Sequence, residues 1–147
     1  MSIADLTTSA VEPAWVPQIL HFWFEELGEA HWFVKRADID AQIRHRFLSL
    51  HEWLAADHGL AATTQRPLLA AVIVLDQFSR NLYRGTPRAF AADPIARRFS
   101  MTAIARGFDV GMTEQQRLFL YLPFEHSESR EDQALAVELI RRLGNDE

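Results

Sequence analysis

Two short stretches of the chain concentrate the side chains that could move protons or grip charge. The first places Asp76, Gln77, Arg80, Asn81 and Arg84 within nine residues. The second is Glu125, His126 and Glu128, just past Pro123-Phe124. A histidine beside carboxylates suits general base work, because imidazole titrates near neutral pH and an acid partner fixes its orientation. His126 is the candidate base, with Asp76 or Glu128 as its partner. Arg80 and Arg84 instead suit the forked grip of a carboxylate or phosphate, with Gln77 and Asn81 orienting it. The spacing of His126 and Glu128 matches no helical metal motif, and the His126-Ser127 pair is no nucleophile signature. No residue is assigned as catalytic outright, and neither a metal nor a cofactor is expected.

The first stretch closes an apolar run, Leu68 to Leu75. That run is compatible with a buried strand or a buried helix. The apolar pattern continues through Phe78 and Leu82 at helical spacing, and no turn signal follows Pro67 until Gly85, so a helix is expected. At about 100° per residue, one arc carries Leu69, Ala70 and Ile73 and then Asp76, Gln77, Arg80, Asn81 and Arg84. Val74, Leu75, Phe78 and Leu82 keep the opposite side apolar. Such an arc is either a structural ion-pair network or a ligand-facing pocket. A buried carboxylate without a partner costs several kcal/mol, and Arg80, four residues on, is well placed to answer Asp76.

The other elements follow from the same periodicities. Residues 1–12 are small and polar and read as a loose, flexible arm ahead of a single helical domain over 13–147. Pro13 and Pro17 open a first helix carrying Val16, Ile19, Leu20, Trp23 and Leu27, stopped by Gly28. A second runs from Asp38 to His58, ending at Gly59, with Ile39, Ile43, Phe47, Leu50 and Leu54 as its stripe. Asp93-Pro94 reads as a cap and first turn for a fourth helix closed by Gly107. Thr113 with Gln116 has the form of a capping box for a fifth, and Ser129 caps a sixth that ends at Gly144. Pro123 should kink or end the fifth helix. The architecture expected is all-α, an array of about six antiparallel helices. Phe22, Trp23, Phe24, Trp32 and Phe33 are expected in the core, because Glu25 and Glu26 stand where an interfacial helix would carry lysine and arginine. His21, His31, His45, His51 and His58 are scattered and read as surface or core residues.

Composition narrows the function classes. With 147 residues, 48% hydrophobic and 24% charged, the chain has the balance of a folded globular protein. A net charge of -5 argues against a nucleic-acid partner, which would favour a basic face. No cysteine is present, which excludes disulfides, thiolate zinc sites and cysteine nucleophiles. The first twelve residues lack the basic and apolar segments of a secretory signal, and the longest apolar run is far short of the ~20 residues that span a bilayer. A cytoplasmic protein with no membrane partner is expected.

The segment Leu75-Asp76-Gln77-Phe78-Ser79-Arg80-Asn81-Leu82-Tyr83-Arg84-Gly85-Thr86-Pro87-Arg88-Ala89-Phe90-Ala91-Ala92-Asp93 is long and distinctive. So is Phe119-Leu120-Tyr121-Leu122-Pro123-Phe124-Glu125-His126-Ser127-Glu128. Together with Phe22-Trp23-Phe24 and Trp32-Phe33, they resemble a widespread, mainly bacterial family of unknown function whose fold is tetratricopeptide-repeat-like. The resemblance spans about residues 17–143. It implies paired antiparallel helices and no established reaction, substrate or cofactor. Its motif positions fall on Asp76, Gln77, Arg80, Asn81, Arg84, Asp93, Glu125, His126 and Glu128. Two departures stand out: Ser79 replaces a usual proline, and the family tends to continue through a basic-aromatic segment beyond Gly144-Asn145-Asp146-Glu147. Three roles follow, in order: a module binding a peptide or small anion, a structural or oligomerisation domain, and a hydrolase or lyase.

Overall fold

The computed structural model describes residues 12–56 and 64–143. The expected arm over residues 1–12, apart from Glu12, lies outside them, as do His58, Gly59 and Gly144. The chain divides into two compact units, Met1–Val34 and Lys35–Glu147. No strand occurs among the described residues, which form six helices.

In the first unit, helix α1 (Trp15–His21) buries Val16, Ile19 and Leu20 and passes into a π-helical turn, Phe22–Leu27. Gly28, at φ 75°, ends it in a conformation that a side chain would disfavour. The Trp32 indole nitrogen donates to the Trp23 carbonyl at 2.8 Å, and the two rings stack with centroids 6.3 Å apart. Of the aromatics expected in the core, Phe22, Trp23 and Trp32 are buried and Phe24 is half-buried. Phe33 is not: one residue past Trp32, beyond the turn that brings the indoles together, it is 68% exposed.

In the second unit, α2 (Ala37–Ala55) buries Ile39, Ile43, Phe47 and Leu54. Helix α3 has three consecutive segments: α-helical Gln65–Val72, π-helical Ile73–Phe78 and α-helical Ser79–Leu82. Every residue from Pro67 to Ser79 is buried. A helix apolar all round must sit inside other elements, and α3 packs against α2, α4 (Asp93–Ala105) and α5 (Glu114–His126). Gly107, in the left-handed region at φ 74°, follows α4 as expected. The capping box of α5 forms in full, Gln116 N to Thr113 Oγ1 at 3.1 Å and Thr113 N to Gln116 Oε1 at 3.0 Å. Ser129 Oγ accepts from Asp132 N at 3.3 Å ahead of α6 (Arg130–Leu143).

Of the two outcomes expected at Pro123, a kink or an end, the helix does not end there: α5 runs three residues further to His126. Proline so close to a helix end removes one ladder bond, and the burial of Leu122, Pro123 and Phe124 offsets that loss. Asp93 does not cap α4 either. The cap position is Ala92, with no side-chain cap bond, because the Asp93 carboxylate turns to Arg80.

Position 79 ties α2 to α3. The Ser79 hydroxyl donates to the Leu75 carbonyl at 2.6 Å, so it accepts from His51 Nε2, also at 2.6 Å. His51 is 4% exposed, and its Nδ1 is buried with no hydrogen-bond partner. Burial pushes its pKa below the usual histidine range, and the Arg88 charge adds to this while Glu52 opposes it. The folded state therefore disfavours the proton that the unfolded chain accepts near pH 6.5. Stability is complete above that value and falls as pH drops through it. The urea midpoint should be lower at about pH 5.5 than at about pH 7.5, with the loss bounded near 1.4 kcal/mol by the one-unit distance from 6.5. His51→Gln should flatten this slope; a slope unchanged by the substitution would place the titration elsewhere.

Candidate functional site

The π-helical turn of α3 carries Asp76 at its centre. Such turns add a residue to the helical path and recur at functional sites. Asp76 is fully buried, at 0% exposure. A carboxylate there is tolerable only if donors replace its lost hydration, and three side chains do so. His126 Nδ1 lies 2.8 Å from Oδ1, Arg80 Nη1 lies 3.3 Å from the same oxygen, and Gln77 Nε2 donates to Oδ2 at 2.8 Å. Arg80 Nη1 also donates to the Asp76 carbonyl at 2.7 Å. The two motifs, fifty residues apart in the chain, therefore meet on one carboxylate.

Arg80 links this carboxylate to a second one. Its Nη1 and Nη2 reach Asp93 Oδ1 and Oδ2 at 3.0 and 3.1 Å, a bidentate fork that joins α3 to α4. Its guanidinium carbon stands 5.2 Å from the centre of the Phe90 ring, in a turn preceding α4. Asn81 and Arg84, neighbours in sequence, belong to a different cluster. Asn81 Nδ2 donates to Asp40 Oδ1 at 2.8 Å, while Arg84 Nε and Nη2 donate to Asp40 at 2.8 and 3.0 Å. Burial is the largest influence on Asp40 and pushes its pKa up. The bonds from Arg84 and Asn81, with the charges of Arg84 and Lys35, outweigh it and hold the group below its ordinary value. This clamp stabilises the fold above the usual carboxylate range and is lost only as pH falls through the depressed pKa. The forks that the sequence offered to an anion thus face Asp93 and Asp40.

Since a carboxylate can only accept, the hydrogen-bond network assigns the proton of His126 to Nδ1. Nε2 is then the free acceptor, and it has no hydrogen-bond partner among the described residues. His126 is one wall of a cleft of about 600 Å³. Arg80 lines it from α3, Phe90, Asp93, Pro94 and Arg97 from around α4, and Pro123, Ser127 and Glu128 from the end of α5.

Residues 19–147 match the family described as "Bacterial protein of unknown function (DUF924)". The chain belongs to this family. A DUF924-like architecture is also found in a solved structure, that of the protein of unknown function ATU0120 from Agrobacterium tumefaciens. The two share 34% sequence identity at a TM-score of 0.80, over 90% of this chain and 80% of that one. No curated protein matches the chain.

Sequence reasoning missed part of this DUF924 cleft. Arg97 Nη2 donates to Asp132 Oδ1 at 2.9 Å, its Nε bonds Oδ2, and Ser127 Oγ donates to Oδ2 at 2.7 Å. The Arg97 bond, opposed by burial and aided by Ser127, lowers the Asp132 pKa. The clamp fixes the loop that follows His126. Nothing in the local pattern distinguishes Arg97 or Asp132 from solvated helix charges; only the packing of α4, α5 and α6 selects them. Glu125, by contrast, is exposed and lines a separate groove with Gln133, Ala136, Val137 and Arg141. Glu128 is exposed at the cleft itself.

Proposed function

We propose that the cleft is a small-molecule site in which His126 acts as a general base. The observation that carries the reading is the Nδ1 to Oδ1 bond of 2.8 Å, from a histidine at a cleft wall to a fully buried aspartate. Asp76 fixes the tautomer and stabilises the imidazolium that forms when Nε2 takes a proton. Gln77 and Arg80 hold the carboxylate in place. Ser127 is engaged by Asp132 and is no candidate nucleophile, so the proton comes from water or from the substrate. Hydrolysis by activated water, or elimination, are the reaction classes this supports. A binding module for a peptide or small anion would have to draw on Arg80 and Arg84 outside their aspartate forks, which favours the base reading. Paired tetratricopeptide-repeat-like helices framing the site, and a cytoplasmic setting consistent with the absence of cysteine, belong to the same proposal. Among the described residues no helix is long and apolar enough to cross a membrane.

Long-range proton–nitrogen NMR of the imidazole tests the reading without any substrate. Neutral His126 should show a protonated Nδ1 and a bare Nε2, and Asp76→Asn should erase that preference. A neutral ring protonated on Nε2 would place the bare nitrogen against the carboxylate and remove the proposed base.

A further inference from the structure

We infer that the cleft takes a ligand with a cationic nitrogen, an ammonium or amidinium on an apolar body, rather than an anion. The inference rests on the His126 reading of this site and adds the charge class of what binds there. Four carboxylates, Asp76, Asp93, Glu128 and Asp132, stand in or directly behind the cleft wall, against two guanidiniums, Arg80 and Arg97. Both guanidiniums are already neutralised: Arg80 by Asp76 and Asp93, Arg97 by Asp132. With His126 neutral the local charge is -2.

Glu128 is the part of that charge that a ligand meets directly. Among the described residues it is the one charged group lining the cleft with no partner in hydrogen bond or ion pair. A cleft bounded by low-dielectric walls focuses the field of such a charge on whatever enters. Part of the wall is apolar: Phe90, 57% exposed, lines the cleft together with Pro94 and Pro123. A carboxylate or phosphate would meet net repulsion and two occupied forks. A cationic nitrogen meets Glu128, while its apolar body covers the aromatic ring.

Benzylamine, benzyl alcohol and benzoate share one frame and differ in charge, so NMR titration of the full chain at neutral pH and low ionic strength separates the cases. Benzylamine should shift the resonances of His126 and of the residues around Phe90, with affinity at least about tenfold above benzoate. Glu128→Gln, an exposed and isosteric change, should weaken it about threefold or more, and raised salt should do the same. Equal or tighter binding of benzoate, no shift with any of the three probes, or an unaffected Glu128→Gln variant would each overturn the inference. His126→Gln should retain the amine, because Glu128 supplies the attraction. Loss of the amine preference therefore leaves the tautomer measurement standing, and a wrong tautomer leaves the amine preference readable.

Discussion

Replacing Asp76 by alanine should cost about 3–5 kcal/mol of folding free energy, the range seen when one partner of a buried ion pair is removed. The carboxylate is fully buried and gathers His126, Arg80 and Gln77. Its loss leaves three side chains aimed at a hole. Arg80 keeps Asp93, but Gln77, 7% exposed, has no water to turn to. Asp76→Asn keeps the shape and should cost less, about 2–3 kcal/mol, because its amide sets a donor against a donor and leaves a charged neighbour unanswered. Against a usual stability of roughly 5–15 kcal/mol the alanine variant is close to unfolding. Urea denaturation followed by tryptophan fluorescence reads this directly. The companion Asp76→Leu/His126→Leu variant should recover part of the loss, since removing both polar partners is far cheaper than removing one. An Asp76→Ala protein within about 0.5 kcal/mol of the parent would mean that the site is hydrated and open, contrary to its burial.

The fold was legible wherever a local rule had no tertiary competitor. Four of the five stripe positions of α2, the Thr113 capping box and the Gly107 stop are set by chemistry within one or two turns and form as the residues imply, while Leu50 is only half-buried. Asp93 failed as a cap because a distant arginine offered its carboxylate more than the helix end did. Pro123, expected to kink or end α5, does not end it, because a buried apolar segment holds the chain helical past it. The π-helical turns at Phe22–Leu27 and Ile73–Phe78 left no trace in the pattern of apolar positions. They depend on what surrounds the helix, and a sequence read at 100° per residue passes through them unaware.

The candidate site was half legible for a related reason. Periodicity alone put Asp76 on the same side of the helix as Leu69 and Ile73, which favoured a buried carboxylate in need of a partner. Arg80 and His126 were both candidates to partner it, and only packing could decide between Asp76 and Glu128 for His126. His126 arrives from another helix, and Arg80 divides itself between Asp76 and Asp93. The five polar residues of the motif looked like one cluster. The structure separates them into Asp76, Gln77 and Arg80 at the cleft, and Asn81 and Arg84 clamped to Asp40 on α2. The widened turn of α3 ends at Phe78, after Asp76 and Gln77, and Arg80 reaches back across it to Asp76. Arg97 and Asp132 carried no signal that a single sequence could give, and Phe90 stood within the first distinctive segment without a role of its own.

The separation also fixes what substitution at each end of α3 should do to turnover. For any substrate whose reaction in the cleft begins with proton removal, His126→Gln should lower kcat by about 10²–10⁴-fold, the usual worth of a positioned base. Asp76→Asn should approach the same loss while leaving KM little changed, because it spoils the tautomer and the imidazolium rather than the walls that hold the ligand. The two losses should not multiply. A base in the wrong tautomer is already nearly useless, so Asp76→Asn/His126→Gln should be scarcely slower than His126→Gln alone. Arg84→Met, acting on the Asp40 clamp, should lower stability and leave kcat within about twofold, since it touches neither His126 nor its carboxylate. Steady-state kinetics on the four variants, at a temperature where each is folded, separates these outcomes. Fully multiplicative losses would mean that Asp76 and His126 act independently, and the 2.8 Å bond between them would then be structural only.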